Sequence, residues 1–210
     1  MKIAVIGSGN IGKSLGSWIA QVGYEVTFSA KNPDHAKAAA EAAGHGAQAA
    51  SIRDAVANAD MILLAVPYKA ISALISELKP HLKGKIIIDP SNAINADFSG
   101  LQLGFTTSAA EEIAKLAPEA IVVKAFNTIF ASIFASKNPQ IDGRAISVIF
   151  AGDDADAKGK VGALIAQLGF DAIDAGPLSV ARNIEPLGML NILLAYKQGM
   201  GPGIGFKLLH

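Results

Sequence analysis

The residues with the clearest chemistry stand at the start of the chain. Gly7-Ser8-Gly9-Asn10-Ile11-Gly12 follows directly on the apolar run Ile3-Ala4-Val5-Ile6 and opens a segment with helical periodicity. A strand, a glycine turn and a helix in that order suit the pyrophosphate of a dinucleotide. Gly7 permits the tight turn, Gly9 lets the backbone approach a phosphate, and Gly12 lets helix and strand pack closely. The anion then rests on unsatisfied N–H groups at a helix N-terminus, where the helix dipole favours negative charge. The bland reading of the same residues is a plain strand-to-helix turn.

The end of the second strand selects the dinucleotide. An NAD site places Asp or Glu there to bond the ribose 2′-hydroxyl. Here the residues are Ser29-Ala30-Lys31-Asn32, and the first carboxylate is Asp34. A hydroxyl, a cation and an amide suit a 2′-phosphate, so NADP(H) is expected over NAD(H), with Ser29, Lys31 and Asn32 at the phosphate. Lys31 also reads as a solvated surface charge. Val66-Pro67 ends a buried strand where a nicotinamide riboside would pass, and it reads equally as a proline stopping that strand. Asp89-Pro90-Ser91-Asn92 and Lys124-Ala125-Phe126-Asn127-Thr128 add small polar groups at neighbouring strand ends.

The missing groups narrow the reaction. His35, His45, His81 and His210 fall in helices, connections or the terminus, which leaves no His general base at a strand end. There is no Tyr-x-x-x-Lys spacing, no HExxH and no cysteine, so no catalytic side chain and no metal site is expected. Hydride passing directly between two redox cofactors needs neither, because the protein then sets only distance and angle.

These groups need a scaffold, and the pattern supplies one. Strands are expected at 2–6, 24–29, 61–66, 85–89, 120–126, 145–151 and 171–175, with a short extended piece at 47–50. Helices are expected at 11–22, from Pro33 to near Gly44, briefly after Ser51, at 68–78, from Ser108 to Leu116, near 129–135, at 155–168 and at 178–197. Ser51-x-x-Asp54 and Ser108-x-x-Glu111 have capping-box spacing, and Pro186 with Gly188 should kink the last helix. The span 91–107 lacks periodicity. Alternating strands and helices imply an α/β fold, a Rossmann-type doubly wound and mostly parallel sheet. Six strand ends, the last at 176–179, should then converge on one crevice. A dinucleotide-binding domain at 1–125 and a small C-terminal α/β annex at 126–210 are expected, with one continuous domain as the alternative.

Composition sets outer limits. The 210 residues are 51% hydrophobic, enough for a sizeable core, and the formal net charge is zero with no long basic run. Nucleic acid and anionic membranes are therefore poor partners. The first strand begins at Lys2 and no apolar stretch reaches the length of a membrane helix, so a cytoplasmic location is expected.

The C-terminal motifs carry a resemblance. Asp174-Ala175-Gly176-Pro177-Leu178-Ser179-x-x-Arg182-x-x-Glu185, Leu190-Asn191-Ile192, Gly199-Met200-Gly201 and Gly205-Phe206-Lys207-Leu208 resemble the F420-dependent NADP oxidoreductases. Gly9-Asn10-Ile11-Gly12 and Val66-Pro67 extend the likeness over essentially the whole chain. Val123-Lys124-Ala125-Phe126-Asn127-Thr128 is similar to bacterial relatives and to the reductase domains of the STEAP metalloreductases. The resemblance implies Ser8, Gly9, Asn10 and Ile11 at the pyrophosphate, Lys31 at the 2′-phosphate and Val66 and Pro67 beside the nicotinamide. It implies Asn127, Ile129, Met200 and Gly201 beside a second cofactor, in a cleft closed by the C-terminal part. It also suggests a homodimer.

One departure bears on that second cofactor. The archaeal F420 enzymes carry His where this chain has Asn127, whereas the STEAP-like domains have Asn and pass hydride to an ordinary flavin. The expected acceptor is therefore F420, or else a flavin such as FMN or FAD. Lys124, Lys137, Arg144 and Arg182 are candidates for an anionic tail, or else surface charges. A non-catalytic NADP(H)-sensing protein is the alternative from another class.

Overall fold

The computed structural model describes residues 1–209. Eight strands form one sheet: β1 (Lys2–Ile6), β2 (Glu25–Ser29), β3 (Gln48–Ala49), β4 (Met61–Leu64), β5 (Ile86–Asp89), β6 (Ile121–Lys124), β9 (Ser147–Gly152) and β10 (Asp171–Asp174). Their order across the sheet is β10-β9-β6-β5-β4-β1-β2-β3. A small hairpin, β7 (Gln140–Ile141) and β8 (Arg144–Ala145), stands apart and turns through Asp142 and Gly143 with positive φ at both. The helices are α1 (Asn10–Gln21), α2 (Pro33–Ala43), α3 (Ile52–Ala57), α4 (Tyr68–Leu78), α5 (Ala109–Leu116), α6 (Ala131–Ser136), α7 (Ala155–Gln167) and α8 (Ala181–Tyr196).

The central strands are buried on both faces, which is why they read as continuous apolar runs. Successive side chains point to opposite faces. Ile3, Val5, Met61, Leu63 and Ile88 enter one core under α1, α2 and α7. Ala4, Ile6, Ile62, Leu64 and Ile87 enter another under α3, α4 and α5. Gly16 permits the close approach of α1, since a Cβ there would lie 2.6 Å from the Phe28 ring. Burying such a phenyl ring contributes about 1.5–3 kcal/mol. Both serines cap their helices: the Asp54 N–H donates to Ser51 Oγ at 3.1 Å and the Glu111 N–H to Ser108 Oγ at 3.2 Å, while the Asp54 and Glu111 carboxylates accept from the two hydroxyls.

Three expectations change. β9 pairs antiparallel with β6, and β10 runs parallel to β9. The carboxyl end of β10, at 176–179, therefore points to the opposite end of the sheet and leaves five strand ends at the crevice. The expected strand at 145–151 is divided into β8 and β9, with Ile146 between them bonded to the Pro139 carbonyl. The last segment begins as a short 3₁₀ turn at Leu178–Val180, and α8 proper starts only at Ala181, with Pro186 inside it. The span 91–107 is irregular apart from a bridge between Ile94 and Leu101. The sheet itself crosses the boundary expected at 125/126, because β9 and β10 extend it beyond β6.

Candidate active site at the strand carboxyl ends

The glycine turn is built by sterics. Gly7 has φ of +104°, and a Cβ there would lie 2.2 Å from the Ala65 carbonyl oxygen. A Cβ on Gly12 would lie 1.8 Å from the Gly7 carbonyl oxygen. Gly9 differs, since a Cβ there would have no atom within 4 Å. The fold does not need a bare backbone at Gly9, but a ligand lying on that backbone does. Gly9 is also the N-cap of α1 and offers no side-chain cap, and the first turn holds no acid. The first intrahelical bond runs from the Lys13 N–H to the Gly9 carbonyl at 2.9 Å, so the N–H groups of Asn10, Ile11 and Gly12 have no intrahelical partner. This end fits a diphosphate.

A cavity of about 330 Å³ adjoins the turn, lined by Gly9, Asn10 and Ile11, by Val66, Pro67 and Tyr68, and by Pro90, Ser91 and Asn92. β4 ends at Leu64, short of the expected residue 66, and Pro67 is the N-cap of α4. Tyr68 is the aromatic of this wall. Burial, then the carboxylates Glu112, Glu185 and Asp89, push its phenol above the ordinary value. A larger hollow of about 590 Å³ runs along the outside of α1, between α2 and α6, with Lys13, His35 and Lys137 among its lining. Of the five strand ends only the turn residue Ser8 reaches it.

The polar groups expected at a 2′-phosphate separate. Lys31 is exposed, and no hydrogen bond or ion pair among the described residues engages it. Asn32 spends its Oδ1 on the Asp34 N–H at 2.9 Å, as N-cap of α2. Ser29 is fully buried and its hydroxyl donates to the Ala50 carbonyl at 2.8 Å. It faces β3, away from solvent, and its hydroxyl is already committed to the fold.

The residues expected beside a second cofactor also divide. Asn127 is 7% exposed, and Ile129, at 5%, turns its side chain into the core of α1 and α7. Met200 is 61% exposed, and neither it nor Gly201 lines the cavity. The tail is tied instead to α6 and to β9: Ser132 Oγ donates to the Pro202 carbonyl at 2.5 Å, and the Ser147 N–H donates to the Phe206 carbonyl at 2.8 Å.

Residues 2–93 match the family model described as NADP oxidoreductase, coenzyme F420-dependent. The F420-dependent NADP reductase of Methanothermobacter thermautotrophicus is 32% identical over 209 residues, covering 92% of this chain and 89% of that protein. The chain belongs to the F420-dependent NADP oxidoreductase family. A solved structure from Arthrobacter sp. FB24, assigned to the F420-dependent NADP reductases, superposes with a TM-score of 0.89 at 31% identity over all of both chains. Metalloreductase STEAP3 of Rattus norvegicus is 34% identical over 191 residues, and the matched region is 90% of this chain and 37% of that longer protein. Among the described residues no helix is long and apolar enough to cross a membrane.

In this F420-dependent NADP oxidoreductase family member, one network beside the cavity escaped sequence reasoning. Lys124 is wholly buried, with Nζ 2.6 Å from Asp89 Oδ2, 2.8 Å from Glu185 Oε1 and 2.6 Å from the Ser91 carbonyl. It is thus neither a surface charge nor a site for an anionic tail. Glu185 also accepts from the N–H groups of Ala109 and Ala110, at the start of α5. Arg182 is engaged as well, with its guanidinium forked onto Glu111. Lys137 donates to Gln21 at 2.6 Å, and Arg144 is exposed on the separate hairpin. One signal was visible: a lysine ending the apolar run Ile121-Val122-Val123 demands buried carboxylates.

Proposed function

We propose that this protein transfers hydride between NADP(H) and coenzyme F420, with the nicotinamide in the cavity bounded by Gly9, Val66, Pro67 and Asn92. The carrying observation is Gly9, whose bare backbone faces open space at an uncapped helix end. When bound, NADPH supplies the hydride and the deazaflavin receives it. The chain's residues bind and orient. Ser8, Gly9, Asn10 and Ile11 hold the pyrophosphate through backbone N–H groups and the helix dipole. Lys31 neutralises the 2′-phosphate, with Asn32 beside it. Val66 and Pro67 present an apolar wall that keeps water from one side of the nicotinamide. Asn127, and on the outer side the tail around Met200 and Gly201, border the second ring. No side chain is needed as an obligatory acid or base.

A flavin acceptor is the second reading, and Asn127 supports it, because the STEAP-like reductase domains carry Asn there. We also propose a soluble cytoplasmic protein acting as a homodimer. The test mixes the protein with NADPH and either F420 or FMN and follows loss of the acceptor's visible absorbance. Turnover with F420 supports the first reading and turnover with FMN alone the second. Tight NADPH binding with neither acceptor reduced supports an NADP(H) sensor.

A further inference from the structure

Among the described residues, two buried side-chain atoms have no hydrogen-bond partner: Ser91 Oγ and Asn127 Oδ1. Native folds leave few such atoms, and each calls for a cause. These two follow neighbouring strands, β5 and β6, and both adjoin Asn92, a lining residue of the cavity.

Neither orphan comes from a loosely held residue. The Ser91 N–H donates to Asp89 Oδ1 at 2.9 Å, and its carbonyl accepts from Lys124 Nζ at 2.6 Å. The backbone is clamped from both sides while the hydroxyl is spare. Asn92 Nδ2 donates to the Asn127 carbonyl at 2.9 Å, which turns Asn92 Oδ1 toward Asn127. Asn127 Nδ2 donates to that Oδ1 and to the Ile184 carbonyl, each at 3.0 Å. Backbone carbonyls accept only, so they fix which end of each amide is nitrogen. Asn127 Oδ1 is therefore an acceptor without a donor. Gly188 of α8 makes room for this arrangement, since a Cβ there would lie 2.8 Å from Asn92 Oδ1 and 2.9 Å from Asn127 Nδ2.

We infer that Ser91 and Asn127 read an amide edge on the bound ligand, the hydroxyl donating to its C=O and Asn127 Oδ1 accepting from its N–H. The inference rests on the NADP(H) reading. Two sources carry such an edge: the nicotinamide carboxamide and the pyrimidinedione of a deazaflavin or flavin. The cavity favours the carboxamide, because Ser91 and Asn92 share it with Gly9, Val66 and Pro67. A site with buried groups waiting for an amide rejects a ring that lacks one.

The experiment compares Ser91→Ala with the parent, in calorimetric titrations and in ligand-free thermal melts. With the orphan hydroxyl gone, the ligand-free variant melts at or above the parent temperature. Its Kd for NADPH rises about tenfold, the loss of one hydrogen bond. Its Kd for 2′-phospho-ADP-ribose, which lacks the nicotinamide, is unchanged. The 3-acetylpyridine analogue of NADP, with methyl in place of the amide nitrogen, binds the parent about tenfold more weakly than NADP.

Equal NADPH affinity in parent and variant overturns the role of Ser91 at the carboxamide, and a variant melting well below the parent makes the hydroxyl structural. Equal binding of the acetylpyridine analogue removes Asn127. A loss seen with F420 or FMN and not with NADPH moves the edge to the second ring and overturns the nicotinamide source. A parent that binds neither NADPH nor 2′-phospho-ADP-ribose overturns the NADP(H) reading itself. Binding of the latter with no gain from the nicotinamide overturns the amide reading alone.

Discussion

Lys124 Nζ lies 2.6 Å from Asp89 Oδ2 with both side chains fully shielded from solvent. The pair joins the carboxyl ends of β5 and β6, and Glu185 ties α8 and the start of α5 to the same ammonium. Two carboxylates around one lysine leave a formal excess of negative charge. The N-terminal dipole of α5, aimed at Glu185, offsets part of it.

Replacing Lys124 therefore strands two buried carboxylates. Lys124→Met is expected to cost about 3–5 kcal/mol, the usual penalty for removing one partner of a buried pair. Urea unfolding measures it. A loss below roughly 1 kcal/mol would mean that water reaches this network.

The glycines of the turn divide into structural and ligand-facing positions. Gly12→Ala drives a Cβ onto the Gly7 carbonyl oxygen and is expected to destabilise by about 1–3 kcal/mol. Gly9→Ala meets open space and costs the fold roughly 1 kcal/mol or less, as a cap effect, yet it weakens NADPH binding at least about tenfold. Melting and titration of both variants check this. Parent-like NADPH affinity in Gly9→Ala contradicts the pyrophosphate assignment.

Lys31 is the exposed cation at the end of β2. Lys31→Glu replaces attraction by repulsion at a 2′-phosphate and should weaken NADPH by about tenfold to a hundredfold. NADH, which lacks that phosphate, should bind both proteins alike. Equal losses for the two coenzymes would remove Lys31 from the site.

Arg182, hydrogen-bonded to Glu111, holds that carboxyl below its ordinary range. A depressed folded-state pKa gives stability that is present above the unfolded value. That stability is lost as pH falls through the folded value. The window opens below about pH 4.5. The parent should therefore lose more stability on acidification from about pH 5 to about pH 3 than Arg182→Ala does. Urea midpoints at several pH values test this, and parallel pH profiles would contradict it.

Much of the fold and part of the site could be read along the chain. The glycine turn, the capping serines and the buried strands act through contacts a few residues apart, so each leaves a local pattern. Val66-Pro67 and Gly9 likewise meet in one cavity, as the βαβ topology requires. Local signals also had a limit at Ser29, whose hydroxyl satisfies Ala50 on the adjoining edge.

Tertiary structure alone decided the rest. Asp89 and Lys124 are 35 residues apart, and Asn127 and Ile184 are 57 apart. No periodicity encodes which distant partner a buried polar group will find. The reversal of β9 against β6 was equally hidden, because an apolar strand reads the same in either direction and only the path through α6 and the hairpin sets it. Sequence fixes what each residue needs locally, whereas long-range pairing depends on how the whole chain closes around its two cores.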